Sequence, residues 1–272
     1  QYKMFKWYLS YYPRTSHNIE FGINAIEYGF EPGMLKPLGE ASTVQPKTID
    51  RERGLELAAF ISDDITLTDR ISVELGLRYS HFLQLGSSTV YKYQEGIPMT
   101  PESIVDSVFY GNNEVVTQYG GLEPRAGLRI KTGESSSVKL SYSRINQYIN
   151  LISNTSVMAP TDVWKLSDTY LKPLTSDQYA IGYFQNFLHN SIEFSLEAYY
   201  KQLHNVIEYK SGAEIAMNRY LETDVINAKG YNYGVEFYLK KNSGRLTGWT
   251  SYTWSASQRR SDSEFPENQI NR

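Results

Sequence analysis

Cysteine is absent from the 272-residue sequence, which excludes disulfide frameworks, thiolate metal sites and cysteine nucleophiles. Acidic and basic residues nearly balance, with 27 Lys and Arg against 30 Asp and Glu, so a broad basic surface for nucleic acid is not expected. No stretch approaches the roughly 20 apolar residues that a membrane-spanning helix needs. A helical membrane protein is therefore excluded.

Aromatic residues, in contrast, are plentiful. The chain has 23 Tyr, 11 Phe and 4 Trp, an aromatic share of 14%. Aromatic side chains are enriched in β-strands and at interfaces. The composition therefore indicates a β-rich protein.

Hydrophobic residues alternate with polar or small ones along most of the chain. The clearest segment runs from 71 to 80, where Ile71, Val73, Leu75, Leu77 and Tyr79 fall on one face and polar or small residues fall on the other. Period-2 alternation is typical of a strand with two different faces, because an amphipathic helix repeats every 3.6 residues. Similar segments predict about ten strands, at 1–12, 18–30, 53–66, 71–83, 118–130, 137–150, 176–187, 190–208, 228–240 and 246–258. Strands of this length exceed the roughly 5 to 6 residues usual in soluble sheets and suit a bilayer-spanning barrel.

The connections between the predicted strands alternate strictly between short and long. The short ones are Pro13 to His17, Leu67 to Arg70, Lys131 to Ser136, Leu188-His189 and Lys241 to Arg245, and the long ones are 31–52, 84–117, 151–175 and 209–227. Outer-membrane barrels have short periplasmic turns and long external loops. The pattern predicts an all-β, antiparallel, up-and-down transmembrane β-barrel with its long loops outside the cell.

Several strand sequences resemble those of TonB-dependent outer-membrane receptors, in the branch that imports nutrients. The resemblance extends from about Leu55 to Ser257 and depends on the order and spacing of four phrases: GLRYS at 76–80, LEPRAGLR at 122–129, VKLSYS at 138–143 and GYNYGVE at 230–236. The family resemblance implies a barrel of 22 strands whose lumen is closed by a plug domain. Residues 1–272 are accordingly expected to form one partial β-barrel domain, an internal fragment without the plug and the remaining strands.

The resemblance also implies a function and a set of partners. The intact protein would be a receptor of the Gram-negative outer membrane that imports a bulky nutrient, either an oligosaccharide, a peptide or a metal chelate, into the periplasm. Its partners would be its own plug domain, the TonB energy-coupling complex, the lipid bilayer and a surface lipoprotein, with no nucleic acid among them.

The polar faces of the strands are expected to line the lumen and meet the plug. The lumen-facing residues predicted in this way are Glu74, Arg78, Arg125, Arg129, Glu193, Glu197 and Glu236. Glu193 and Glu197 are expected to join a charged network with Arg125, Arg129, Lys139 or Lys240.

Two of the external loops combine flat aromatic faces with amide and carboxylate groups. Aromatic faces stack on apolar patches of a solute while amides take hydrogen bonds. The candidate ligand-binding residues are Tyr91 and Tyr93 in one loop, and Tyr148, Asn150, Trp164 and Tyr170 in the other.

Catalytic chemistry is poorly supported by the sequence. Asp63 and Asp64 are consecutive strand residues and should point to opposite faces, which argues against a carboxylate dyad. The four histidines lack zinc-ligand spacing, and no Gly-x-Ser-x-Gly or phosphate-binding loop is present. No catalytic residue, metal or cofactor is therefore expected.

Two alternatives remain open from the sequence. A soluble or cell-surface β-rich module that binds carbohydrate or another ligand would pack its apolar faces against each other. An outer-membrane enzyme on a complete ten-stranded barrel would need a clustered acid and base at the external rim.

Overall fold

The computed structural model describes residues 1–38, 42–43, 45–153, 163–215, 217–261 and 269–271. These residues form β-strands and two short 3₁₀ helices, Pro101–Ser103 and Leu221–Thr223. The strands are β1 (Tyr2–Arg14), β2 (His17–Phe30), β3 (Met34–Leu35), β4 (Lys47–Thr48), β5 (Glu52–Thr66), β6 (Ile71–Leu85), β7 (Ser88–Tyr93), β8 (Ile104–Tyr110), β9 (Val115–Lys131), β10 (Ser136–Gln147), β11 (Ile149–Ile152), β12 (Val163–Leu166), β13 (Leu174–Phe187), β14 (Ile192–Tyr209), β15 (Val225–Lys241), β16 (Gly248–Ser261) and β17 (Gln269–Asn271). In the described part of the chain, no helix is long and apolar enough to cross a membrane.

One large antiparallel sheet contains most of these strands. Its order is β1-β2-β5-β6-β9-β10-β13-β14-β15-β16-β17, so each strand pairs with the next long strand in the sequence. Within the described residues β1 and β17 do not pair, and the sheet is therefore open. The fold class predicted from the sequence, an antiparallel up-and-down sheet of barrel type, is confirmed.

All ten predicted strands are present, and one of them ends earlier than predicted. The strand expected at 137–150 stops at Gln147. Tyr148 then turns inward and is buried, while Ile149–Ile152 pairs with β12 in a separate small sheet. Two further hairpins, β3 with β4 and β7 with β8, lie in connections that the sequence predicts as loops.

Five tight turns lie along one edge of the sheet, which we call the turn end: 15–16, 67–70, 132–135, 188–191 and 242–247. At one of them the Thr68 hydroxyl accepts hydrogen bonds from the backbone N–H groups of Arg70 and Ile71. At another, Gly244 has a φ of 105°, which glycine adopts without steric cost. The described parts of the long connections 31–51, 86–114, 148–173 and 210–224 lie at the opposite edge, which we call the loop end.

The two faces of the sheet differ in chemistry, as the alternation predicts. Leu75, Leu77 and Tyr79 are 51%, 45% and 48% exposed on what we call the outer face. Arg78 and Ser80 lie on the opposite, inner face, where Arg78 contacts charged partners and Ser80 is buried. No second sheet covers the apolar residues in the described structure, which argues against the packing that a soluble module requires.

The hydrophobic core lies where the long connections fold onto the inner face near the loop end. One cluster joins Tyr28 and Phe82 of the sheet to Tyr148 and Leu166 of a long connection. A second contains Ile152, Leu171, Ile215, Leu221 and Val225, which come from two connections and the start of β15. The loops and the wall are thus packed into one unit at this end.

Candidate functional site

A network of buried charges crosses three strands of the inner face. Arg78 on β6 donates to Glu56 on β5 at 2.8 Å and to Glu123 on β9 at 3.0 Å. Register explains the second contact, because Arg78 lies directly opposite Glu123 in the sheet. Tyr28 on β2 donates its hydroxyl to Glu56 at 2.8 Å. Four strands of the wall are thereby linked through charge-assisted hydrogen bonds.

The hydrogen-bond network extends from the wall to Tyr148, at the start of the long connection 148–173. Ser80 donates to Glu123 at 2.5 Å, and its oxygen lies 2.7 Å from the Tyr148 hydroxyl. Because the Ser80 proton is given to the carboxylate, the Tyr148 hydroxyl donates to Ser80. The Tyr148 ring stacks on Phe82 with centroids 5.0 Å apart. Tyr148 therefore fixes the connection to the wall.

A second ion cluster, around Lys165, links the same connection to the start of β5. Lys165 on β12 contacts Glu52 at 2.5 Å and Asp168 at 3.0 Å and is only 18% exposed. The backbone N–H of Leu166 donates to the same Glu52 carboxylate at 2.8 Å. Burial disfavours the charged ammonium, but the two carboxylates outweigh it and raise the pKa of Lys165. The lysine is therefore charged and fully paired.

The absence of a side chain at Gly54 makes room for this packing. A Cβ atom on Gly54 of β5 would lie 2.8 Å from the Phe82 ring and 3.0 Å from the Leu166 side chain. Only glycine fits at this position without displacing one of them. Gly54 thus leaves the space in which Phe82 of the wall and Leu166 of connection 148–173 pack together.

Four tyrosines from three long connections meet above the ion cluster, and we call them the tyrosine cluster: Tyr91, Tyr93, Tyr170 and Tyr220. Tyr91 and Tyr220 have ring centroids 5.1 Å apart, and Tyr93 meets Tyr170 edge to face at 5.7 Å. The Tyr170 hydroxyl donates to the carbonyl oxygen of Tyr91. These contacts bring connections 86–114, 148–173 and 210–224 into one surface.

A partly buried carboxyl group lies beside this cluster. Tyr93 donates its hydroxyl to Glu222 at 2.7 Å. Burial raises the pKa of Glu222, and the hydrogen bond from Tyr93 opposes only part of that effect. Burial likewise raises the pKa of the Tyr93 phenol, and the neighbouring Glu222 adds to the shift. The pair thus favours a protonated tyrosine and a carboxyl group that is easily protonated.

A cleft opens between the tyrosine cluster and the start of β5 at Glu52. It is lined by Asp50, Glu52, Tyr91, Lys165, Tyr170 and Arg219, among others. Arg219 is half exposed and lies 3.7 Å from Asp50. Aromatic faces and groups of both charges are thus available to a solute at this cleft.

The six candidate ligand-binding residues fall into three environments. Tyr91, Tyr93 and Tyr170 are brought together in the tyrosine cluster. Trp164 lies apart, 42% exposed, in a depression beside Phe30 and Arg51. Tyr148 is 2% exposed and Asn150 is also buried, so both lie beneath the surface that a solute would meet.

The seven predicted lumen-facing residues share the inner face according to the strand register, and five of them remain exposed. Glu193 is half-buried, and its carboxylate accepts a hydrogen bond from Asn242 at the turn end. The exposed residues are Glu74, Arg125, Arg129, Glu197 and Glu236. Arg78 is the member that joins the buried network.

The charged network expected around Glu193 and Glu197 is wrong for the described residues. Neither glutamate forms an ion pair there, and Glu193, although opposite Lys240 in register, accepts only from Asn242. Arg125 and Arg129 are too far away to pair with these glutamates. They lie on β9, which three strand spacings separate from β14, a distance of about 14 Å. The observed network forms instead on β5, β6 and β9.

Several residues of the site have no signal in the sequence. Glu56 and Glu123 are ordinary polar members of alternating strands until register places them beside Arg78. Lys165 and Glu52 are 113 positions apart, and nothing local connects them. Glu222 lies in a connection predicted only as loop.

The adjacent aspartates are separated as predicted. Asp63 lies opposite Leu75 on the outer face and contacts His17 at 2.8 Å, whereas Asp64 lies opposite Glu74 on the inner face. Among the described residues, no group of three or more histidine and acidic side chains could hold a metal ion.

An open sheet with an apolar outer face, a charged inner face and loops packed into one end defines the wall of an outer-membrane β-barrel. The family model described as TonB dependent receptor-like, beta-barrel matches residues 5–272. The chain belongs to this family, whose members are β-barrels of the Gram-negative outer membrane.

Solved structures support the same assignment of fold. The FrpB iron transporter of Neisseria meningitidis, in its F5-1 variant, matches 99% of this chain with a TM-score of 0.63 at 14% identity, over 38% of its own length. The ferric yersiniabactin uptake receptor FyuA of Yersinia pestis matches 99% with a TM-score of 0.59 at 12% identity, over 37% of its length. The alcaligin outer-membrane receptor FauA of Bordetella pertussis matches 99% with a TM-score of 0.54 at 14% identity, over 40% of its length. The chain thus spans less than half of each. A search of curated proteins found no match.

Proposed function

We propose that this chain forms part of the barrel and external mouth of a TonB-dependent receptor that imports a bulky nutrient into the periplasm. The observation that carries the proposal is that the two faces of the sheet differ in polarity. The outer face exposes Leu75, Leu77 and Tyr79 to the bilayer, and the inner face carries charge along the same strands. Such a wall separates lipid from a polar passage.

The folded long connections support a role in capturing the solute. Three of them converge on the tyrosine cluster, and the cleft beside it presents Tyr91, Arg219 and Asp50. Aromatic faces and charged groups of both signs suit a large polar solute rather than a purely apolar one. Capture at this cleft would precede passage through the lumen.

The solute class is an oligosaccharide, a peptide or a metal chelate. The solved relatives named above are an iron transporter, a ferric yersiniabactin uptake receptor and an alcaligin receptor, which favours a metal chelate as the first class to test. In the intact receptor, the plug domain would close the lumen and the TonB complex would supply energy. A surface lipoprotein would act as an additional external partner.

Uptake by the intact receptor tests the proposal. Cells that express it are supplied with a ferric chelate, an oligosaccharide or a peptide as the limiting nutrient, with and without a functional TonB complex. We expect energy-dependent growth on one class. Growth that is equal with and without the receptor on every class would contradict the proposal.

Substitutions in the cleft locate the capture site. Tyr91→Ala and Arg219→Ala should each lower uptake about tenfold at low solute concentration, because each removes a contact worth about 1.4 kcal/mol of binding. Tyr252→Ala, on the exposed outer face of β16, is the matched control and should leave uptake unchanged. Equal uptake by all three variants would move the capture site away from this cleft.

A further inference from the structure

A second cleft lies at the loop end, between the start of connection 148–173, the end of β14 and connection 210–224. Its volume is about 640 Å³, against about 90 Å³ for the cleft beside the tyrosine cluster, and the two share no lining residue in the described structure. Binding sites for small molecules have volumes of roughly 300 to 1,000 Å³. The second cleft therefore has room for a large part of a solute, whereas the first has room for one side group.

A buried amide group lines the second cleft without a hydrogen-bond partner. Asn150 is 9% exposed, and its Nδ2 atom has no acceptor. Of the seven buried side-chain atoms without a partner among the described residues, it is the only nitrogen. Buried donors are almost always paired, because an unpaired donor loses its hydrogen bonds to water without replacement. An acceptor oxygen bound in the cleft would complete the hydrogen bonding of Asn150.

A guanidinium group supplies further donors to the same cleft. Arg259 on β16 is half exposed and donates to Glu208 on β14 at 2.5 Å, its one hydrogen bond to the described part of the chain. A guanidinium has five N–H groups in a rigid fork, so Arg259 can also donate to an oxygen in the cleft. Glu208 already neutralises Arg259 and repels a carboxylate placed beside it. A neutral carbonyl oxygen therefore fits this position better than an anion.

The apolar part of the lining is aliphatic, and its members are Leu151, Leu174, Val206, Ile207 and Ile215. Tyr209 is the aromatic residue of the described lining, but its ring packs against the hydrophobic cluster that contains Ile152. Its hydroxyl accepts a hydrogen bond from the backbone N–H of Ser153. The ring is thus held by the protein, which disfavours stacking on a sugar. Aliphatic surface combined with donors suits an aliphatic group that carries carbonyl oxygens.

We infer that the second cleft binds an amide-bearing, aliphatic part of the solute, whose carbonyl oxygens accept hydrogen bonds from Asn150 and Arg259. The inference rests on the proposed function and deepens it, because it assigns a chemical group to a separate part of the same external mouth. Amide carbonyls of this kind occur in free peptides and in metal chelates built on a peptide backbone. The aliphatic lining would take the side chains, and the cleft beside the tyrosine cluster would hold another group of the solute.

Binding to the purified intact receptor tests this inference with three probes. N-acetylated trileucine amide is a neutral peptide, ferrichrome is a ferric chelate on a cyclic peptide backbone, and ferric citrate is a chelate without amides. Titration calorimetry measures the affinity for each probe. Binding of the peptide alone would identify a peptide as the source of the amide group, and binding of ferrichrome alone would identify a chelate. Binding of neither would overturn the inference.

Asn150→Leu is the decisive variant. It replaces the amide with an apolar group of similar shape, so the unliganded barrel should be at least as stable as the wild type, because an unpaired buried donor is removed. Affinity for the amide-bearing probe should nevertheless fall about tenfold. Asn24→Leu is the matched control on β2, where the buried Oδ1 atom also lacks a partner, and it should leave the affinity unchanged.

Arg259→Lys tests the second donor. Lysine keeps a cation beside Glu208 but lacks the fork of N–H groups, so affinity should fall about threefold. Unchanged affinity in both Asn150→Leu and Arg259→Lys would overturn the inference, as would a loss of stability without a loss of affinity. TonB-dependent uptake is measured in the same cells. Uptake that persists in that case leaves the proposed function standing, whereas a wild type that takes up no class of solute overturns the proposed function itself.

Discussion

Charged side chains differ in burial and pairing between the two ends of the inner face. Near the loop end, Glu56 and Glu123 are buried and pair with the partly buried Arg78, and Lys165 is enclosed by two carboxylates. Toward the turn end, Glu74, Arg129 and Glu197 are exposed, and none of them forms an ion pair among the described residues. In the described residues, charged groups are therefore buried and paired at one end and exposed and unpaired at the other.

Burial explains why the difference matters for stability. A buried charge that loses its partner costs much more free energy than an exposed one, because nothing replaces the lost hydrogen bonds. An exposed charge is solvated and screened whether or not it has a partner. The two ends should consequently respond very differently to the same type of substitution.

The largest effect is expected for Glu123→Ala. Glu123 is fully buried and accepts from both Arg78 and Ser80, so its loss leaves a partly buried guanidinium with one fewer partner. The free energy of unfolding should fall by about 3 to 5 kcal/mol. Urea titration of the folded barrel, followed by electrophoretic mobility, measures the change. The matched control is Glu197→Ala at the other end, expected within about 0.5 kcal/mol; equal losses would abolish the contrast.

Lys165→Met should act more locally. The substitution keeps the aliphatic stem but leaves the carboxylates of Glu52 and Asp168 without their cation, which costs about 2 kcal/mol. Because Leu166 donates its N–H to Glu52, hydrogen exchange of that amide should accelerate by roughly 30-fold. Lys92→Met removes an exposed ion pair with Asp106 and should leave the Leu166 amide unchanged. Unaltered exchange in Lys165→Met would show that the ion cluster does not hold the connection.

Tyr148→Phe separates the hydrogen bond from the packing. The ring still stacks on Phe82, but the hydroxyl that donates to Ser80 is lost. The unfolding free energy should fall by about 1 kcal/mol. A loss as large as that of Tyr148→Ala, expected at about 3 kcal/mol or more, would mean that the hydroxyl and not the ring anchors the connection.

The smallest effect concerns Glu222 and depends on pH. Burial raises the pKa of Glu222 above its ordinary value, so the folded connection favours the protonated acid. Its stability is greatest below the ordinary pKa and falls as pH rises through the raised pKa. Glu222→Gln keeps an acceptor for Tyr93 and removes that loss. Protease cleavage within 210–224 should be slower in the variant at about pH 8 and equal at about pH 4, below the ordinary pKa of a glutamate; a difference at both pH values would exclude a titration effect.

The sequence predicted the strands and their faces well for a physical reason. Alternation is local, since each strand shows in its own residues which side is apolar, as Ile71 to Tyr79 do. The turn and loop ends follow from the lengths of the connections. None of this requires knowledge of which residues are opposite each other.

Register and loop packing could not be predicted in the same way. The contact of Arg78 with Glu56 and Glu123 depends on the alignment of β5, β6 and β9, which the strands do not show singly. Tyr148 looked like an exposed aromatic because nothing near it in the sequence indicates that it turns toward Phe82.

The long-range contacts of connection 148–173 also order the steps of assembly. The backbone N–H of Leu166 donates to Glu52, 114 positions away. The carbonyl oxygen of Asp168 accepts a hydrogen bond from the Tyr119 hydroxyl, and that of Tyr170 accepts one from the Asn227 side-chain amide. These partners belong to β5, β9 and β15, so the connection has nothing to dock on until strands from most of the sheet are in place. Closing such long loops costs entropy that only the finished wall can offset. The loop end should therefore be the last part of the described structure to pack, after the strands on which connection 148–173 docks.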